Sequence, residues 1–208
     1  MDEGRFVLAM PVEPAMIEDR EGRTIQRVSG RAACIIQFLP GISLTHPSPR
    51  QCEAAGEALV LGVLSADCVS ILLADGKGRV AAVHAGWRGT VQDVAGAAVQ
   101  GLIALGARRE ELRAVLGPSI GPCCFEVQAD VAAAFTKVCG DSVQPRDGRI
   151  YVDLWRTNRA LLLQAGLLQR HIDAAPPCTF CDARRFFSYR RDGAGIGQHL
   201  AFILGGVP

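Results

Sequence analysis

The sequence predicts one α/β domain with mixed sheets, and three observations carry that expectation. Short apolar runs rich in Val, Leu and Ile recur at residues 58–66, 69–74 and 80–84, the lengths and compositions of buried strands. Val91, Val94, Ala95, Ala98, Leu102 and Leu105 then follow at helical spacing. Strand and helix signals go on alternating to the C-terminus, through both hairpin-like and crossover connections. At 208 residues and 49% hydrophobic composition, the chain can bury a core without staples, which excludes a disordered chain.

Taken in order, Val7-Leu8-Ala9-Met10 and Ala32-Ala33-Cys34-Ile35-Ile36 read as strands. Residues 18–23 read as a charged turn, and residues 40–49 as a Pro- and Gly-rich loop. Asp75-Gly76-Lys77-Gly78 is a turn that returns the strand at 69–74 into the strand at 80–84. Thr90 and Asp93 have the form of a capping box for the helix that follows, and Gly106 ends that helix. Ala114-Val115-Leu116 is a strand running into the loop Gly117-Pro118-Ser119-Ile120-Gly121-Pro122. A helix is expected over 127–139, then a hairpin turn at Asp147-Gly148. Asp153 caps a helix through Ala165 that Gly166 stops, and a last strand lies near 200–204.

Composition narrows the function. The net charge is +1 and aromatic residues make up 6%, which argues against a nucleic-acid partner. The longest uncharged stretch, 32–49, is broken by Pro40, Gly41, Pro47 and Pro49, so no membrane span is expected. The charged opening Met1-Asp2-Glu3-Gly4-Arg5 reads as cytoplasmic, with the eight cysteines reduced. A monomer is expected.

Two polar residues stand at the ends of apolar strands: Cys68 after Ala66-Asp67, and His84 at the close of Val80-Ala81-Ala82-Val83. If these strands are hairpin partners, the two side chains lie side by side. A thiolate with an imidazole suits zinc or copper. The same pair also suits a cysteine nucleophile with its base, or a buried thiol beside a hydrogen-bonded histidine. Arg88, in Ala85-Gly86-Trp87-Arg88-Gly89-Thr90, is placed just before a helix N-terminus and suits a phosphate or carboxylate. Asp67 suits orienting a ligand or taking a proton, as well as a plain strand-end carboxylate. Cys178-Thr179-Phe180-Cys181 has the spacing of half a zinc knuckle, but the adjacent Cys123-Cys124 makes a poor second half at a separation far beyond a zinc ribbon. His171 and His199 read as structural, and His46 has no strand-end context.

The blocks Ala66-Asp67-Cys68, His84-Ala85-Gly86-Trp87-Arg88-Gly89, the run from Gly117 to Val127, Cys178-Thr179 and Phe187-Ser188-Tyr189-Arg190-Arg191-Asp192-Gly193, in this order, resemble the YfiH family. That family is also described as the multicopper polyphenol oxidase, laccase-domain or peptidoglycan editing family. The resemblance covers residues 56–208 as the core and leaves 1–55 as a divergent N-terminal part of the same domain. It implies a four-layer α/β/β/α fold and a metal site of His, Cys and His, zinc or alternatively copper. By motif the site contains Cys68 and His84, with His46 the candidate first ligand by its distance upstream. It implies purine nucleoside phosphorylase activity on adenosine, inosine and methylthioadenosine, with adenosine deaminase activity beside it. Nucleoside and phosphate are the implied partners, with Arg88 and Arg190 as anion contacts. Phenol oxidation and cysteine-dependent editing of peptidoglycan precursors are the alternatives, as is a chain with an incomplete site. Only four histidines are present, few for a multicopper laccase. Gly195-Ile196-Gly197-Gln198 departs from the family's Thr-Gly-Arg-type segment, with Gln198 in place of an arginine.

Overall fold

The central hairpin is built by residues that are apolar on both faces. β3 (Val69–Ala74) pairs antiparallel with β4 (Val80–Ala85), with Val69 opposite Ala85 and Ser70 opposite His84. Side chains alternate across a strand, so Ile71, Leu73, Ala81 and Val83 face one way while Leu72, Val80 and Ala82 face the other. The first set packs with Val94, Ala98, Val99 and Leu102. The second packs with Leu61, Val63, Ala201 and Ile203. Both faces are therefore covered, which is why these strands read as continuous apolar runs.

The computed structural model describes residues 7–12 and 59–205. β5 (Arg113–Leu116) joins β3 antiparallel, and β9 (Ile172–Asp173) joins β5 parallel, giving a mixed four-stranded sheet in the order β4-β3-β5-β9. A three-stranded antiparallel sheet runs β1 (Val7–Val12), β10 (Gln198–Gly205), β2 (Leu59–Ser65). A smaller antiparallel sheet has the order β6 (Glu126–Val127), β8 (Arg149–Val152), β7 (Val143–Arg146). Helices cover the four-stranded sheet on the face away from the three-stranded one, so the described layers run helix, sheet, sheet. The expected mixed α/β class is thus present, and among the described strands the parallel pair is β5 with β9. Apart from β1, the proposed segment 1–55 lies outside the described residues, and His46 with it.

Most of the punctuation read from sequence operates as expected. Asp147 and Gly148 both have positive φ, 47° and 73°, and close the β7–β8 hairpin. The Asp153 carboxylate accepts from the Arg156 N–H at 2.9 Å and caps the helix Leu154–Gln164.

The capping box differs. Residues Trp87–Val91 form a short helix, α1, and Asp93 is itself the N-cap of α2 (Val94–Ala104), accepting from the Gly96 N–H at 2.9 Å. Thr90, fully buried, instead donates to the Ala85 carbonyl and accepts from the Asn158 amide at 3.1 Å. Arg88 accordingly lies inside α1 rather than before it. The next helix, α3, is Ala129–Cys139, because Val127 is used in pairing with Ile150. Among the described residues the remaining α-helices are α4 (Leu154–Gln164) and the single turn α5 (Tyr189–Asp192). Among the described residues, no helix is long and apolar enough to cross a membrane.

Candidate active site

His84 shares the face of β4 that carries Val80 and Ala82, so its ring enters the space between the two larger sheets at their end. There its Nδ1 lies 2.8 Å from the Leu64 carbonyl of β2. A carbonyl only accepts, so Nδ1 carries the proton and Nε2 is left with its lone pair, the arrangement a metal-binding imidazole needs. Burial holds the His84 pKa below the ordinary histidine value, and the hydrogen bond to Leu64 opposes this.

Cys68 is delivered by the turn before β3. Asp67 has φ +84°, a left-handed conformation that Asp tolerates better than most residues. Val69 pairs with Ala85, which brings Cys68 beside the residue that follows β4, Gly86. A Cβ built on Gly86 would lie 3.1 Å from Cys68 Sγ and 3.6 Å from His84 Nε2. The sulfur and the imidazole nitrogen therefore converge on one point, and glycine keeps it open. This donor pair, soft sulfur and a correctly protonated imidazole, fits a zinc or copper ion. Burial, reinforced by the Asp67 carboxylate, pushes the Cys68 thiol up to about 11.

The Gly86 backbone sits at φ −67° and ψ 171°, which alanine adopts without strain. Gly86→Ala is therefore expected to fold normally yet to bind metal at least about tenfold more weakly, since the methyl group occupies the point of convergence. Metal titration of the chelator-treated variant against wild type, with circular dichroism as the control, checks this.

Asp67 itself is buried and has both carboxylate oxygens engaged. Oδ1 accepts from Thr179 Oγ1 at 2.6 Å, and Oδ2 accepts from Ser188 Oγ at 3.0 Å and from the Arg190 N–H at 2.7 Å. Its carbonyl accepts from the Ile120 N–H at 2.9 Å. Three segments distant in sequence thus meet on one residue, two of them on its carboxylate and one on its carbonyl. Both carboxylate oxygens are taken up by bonds that tie down the turn carrying Cys68.

The arginines divide by role. Arg88 is exposed, with its guanidinium 4.3 Å from the Trp87 ring centroid. Arg190 is exposed, donates to the Glu126 carbonyl at 2.7 Å and stands over the Phe125 ring at 5.4 Å. Arg191 is a clasp, donating from one amino group to the Thr179 and Phe180 carbonyls and from the other to the Phe186 carbonyl and Asp192. Arg184, Arg185, Arg190 and Arg191 are close neighbours in the sequence, and the fold gives Arg185, Arg190 and Arg191 different partners.

His199 is buried, and its Nε2 accepts from the Phe187 N–H at 3.0 Å while Nδ1 lies 3.1 Å from the Ser65 carbonyl. Both nitrogens are occupied within the protein, a structural role. Burial lowers its pKa, as it does for His84. Below the ordinary value of 6.5 the unfolded chain then binds more protons than the folded one, so stability falls as pH drops through that value toward the lower folded-state pKa. Urea unfolding is expected to show a lower midpoint at about pH 5 than at about pH 7, and His199→Asn, which cannot titrate, is expected to narrow the difference.

The cysteines from the two remaining motifs meet as well. Cys123 Sγ and Cys124 Sγ lie 3.6 and 3.4 Å from Cys181 Sγ. With Cys178 all four sulfurs are within 4.8 Å of one another, a group that could hold a metal ion. The sequence argued against this pairing because Cys123 and Cys124 are adjacent. What overrides the spacing is a parallel bridge between Ser119 and Cys178, which brings the two loops together.

A family model described as multi-copper polyphenol oxidoreductase laccase matches residues 52–205. The chain belongs to this family, the YfiH family. Among its relatives, adenosine deaminase RL5 from an unknown prokaryotic organism is 40% identical over 153 residues, covering 71% of this chain and 58% of the relative. A purine nucleoside phosphorylase of Xylella fastidiosa (strain 9a5c) is 37% identical over 205 residues, covering 95% of this chain and 75% of the relative. The crystal structure of YlmD from Geobacillus stearothermophilus superimposes with a TM-score of 0.66 at 32% identity, covering 73% of this chain and 61% of that one. A Bacillus licheniformis hypothetical protein, YfiH, gives the same TM-score at 31% identity and the same coverage. The YfiH-family match therefore spans under two thirds of the length of several of these proteins.

Proposed function

We propose that this chain is a metal-dependent purine nucleoside phosphorylase, acting on adenosine, inosine and methylthioadenosine, with adenosine deaminase activity at the same pocket. One observation carries the reading: Cys68 Sγ and His84 Nε2 converge on the open point beside Gly86. Relatives named for both activities support the choice of reaction. Cys68 and His84 would hold the ion, zinc in preference to copper, with His46 the candidate for a third ligand. An ion held there would supply the Lewis-acid chemistry by which zinc deaminases activate water for hydrolysis at C6 of adenine.

The chain's own residues do the rest. The Leu64 carbonyl fixes the His84 ring, and the Asp67 network fixes the turn that presents Cys68. Gly86 keeps the point of convergence free of side-chain atoms. In phosphorolysis an oxygen of phosphate bonds to C1′ of the ribose as the C1′–N9 bond breaks and purine leaves with the electron pair. Arg88, two residues beyond Gly86, and Arg190, whose backbone is tied to Asp67, are the residues proposed to hold that phosphate. A thiol pushed up to about 11 holds little thiolate at neutral pH, so Cys68 serves as ligand or as nucleophile only where a cation beside it favours the ionised form.

Product analysis tests the reading. Adenosine with phosphate is expected to yield adenine and ribose 1-phosphate, and adenosine without phosphate to yield inosine and ammonia. Oxygen uptake with a phenol and no turnover of nucleosides would replace it with the oxidase reading.

A further inference from the structure

We propose that Cys123, Cys124, Cys178 and Cys181 form a structural zinc site, separate from the Cys68–His84 pocket, that clasps the loop after β5 to the loop before α5. Four sulfurs around one zinc at a bond length of about 2.3 Å stand about 3.8 Å apart. The observed separations of 3.6 and 3.4 Å, with none of the six above 4.8 Å, fit that tetrahedron with small adjustments. All four cysteines are free thiols. A tetrahedral set of four sulfurs suits zinc, as in structural sites with four cysteine ligands.

The backbone prepares the site independently of the sulfurs. Ser119 and Cys178 form a parallel bridge, with the Thr179 N–H donating to the Ser119 carbonyl at 3.0 Å. The Gly121 N–H donates to Cys178 Sγ at 3.2 Å, the kind of contact that orients and stabilises a metal-bound sulfur. The loops approach so closely at Gly121 that a Cβ there would lie 2.6 Å from the Trp155 ring and 3.2 Å from Cys178 Cβ. Arg191, donating to the Thr179 and Phe180 carbonyls, puts a positive charge on the same loop, against the net negative charge of a zinc tetrathiolate. Binding exchanges four thiol protons for one Zn²⁺, and the ion links segments 57 or 58 residues apart.

The clasp bears on the pocket through Asp67. Ile120 and Thr179, one from each clasped loop, both hydrogen-bond that residue. The inference does not depend on the nucleoside reading, because neither Cys68 nor His84 belongs to the cluster.

The test is peptide-mapped alkylation of the full chain, purified in zinc without chelator, together with zinc-edge X-ray absorption of the Cys68→Ala variant. Cys123 and Cys181 are exposed, so as free thiols they would be open to iodoacetamide, although burial pushes the Cys123 thiol up to about 11 and slows its labelling. They are expected to resist labelling until a strong chelator removes the ion. The Cys68→Ala variant is expected to retain about one zinc per chain, with a shell of sulfur alone at about 2.3 Å. Fast labelling of Cys123 and Cys181 in the zinc-loaded protein would overturn the proposal. So would a disulfide between Cys181 and Cys123 or Cys124, or nitrogen and oxygen in the shell. If the variant does not fold, alkylation of the wild type decides the matter alone. A wild type holding a single zinc in an all-sulfur shell would confirm the clasp while refuting the pocket's metal.

Discussion

Replacing Cys68 by alanine is expected to lower adenosine phosphorolysis and deamination by about 10³-fold or more, about 4 kcal/mol of transition-state stabilisation. The loss follows from position. The sulfur is one of two donors aimed at the point beside Gly86, so its removal leaves His84 as the sole described donor there. The thiol is only half-buried, so the fold should lose about 1 kcal/mol or less. Initial rates and a urea titration on the same preparation separate the two effects. Turnover within a few-fold of wild type would show that Cys68 holds no ion. A large drop in stability would show that its contribution is to packing.

The second large effect is expected at Asp67. Asp67→Asn keeps the size of the side chain and a residue that tolerates the φ of +84°, so it isolates the hydrogen bonds. The new amide can keep its oxygen toward Ser188 and the Arg190 N–H while the Thr179 hydroxyl turns to accept from its NH2, so what is lost is the negative charge that strengthens all three bonds. The expected cost is about 3 kcal/mol, seen as a fall of roughly 10 °C in Tm for a chain of this length. Activity should fall with it, through kcat more than KM, because the turn presenting Cys68 would be loosened while the proposed phosphate contacts stay exposed. Thr179→Val removes one donor of the network and should cost less, about 1 kcal/mol. Equal effects of the two variants would mean that the network adds little beyond one hydrogen bond.

The part of this site that could be read from sequence is the part built by local pairing. A turn cluster between two apolar runs fixes a hairpin, and a hairpin puts its two ends together, so Cys68 and His84 were predictable neighbours. Gly86 stood out as a glycine but not as the residue that keeps the meeting point open. The sequence offered Asp67 three roles, orienting a ligand, taking a proton or a plain strand-end carboxylate, and could not show its hydrogen-bond network because the carboxylate's partners lie 112 to 123 residues away. The cysteine cluster was hidden for the same reason. Its spacing looks wrong until the Ser119–Cys178 bridge places the two loops side by side. The offset at Thr90 and Asp93 has a different cause. A buried threonine found partners in Ala85 and Asn158, which left Asp93 to cap α2 alone. Helical periodicity carries straight through such a break, so it cannot reveal one.

The most direct test of the metal centre is an anomalous difference map, collected on crystals of the metal-loaded protein at the absorption edge of the bound ion. The account predicts a peak within about 2.0–2.3 Å of both Cys68 Sγ and His84 Nε2, on the side that Gly86 leaves open. A map from active protein with no peak between those two atoms would contradict it.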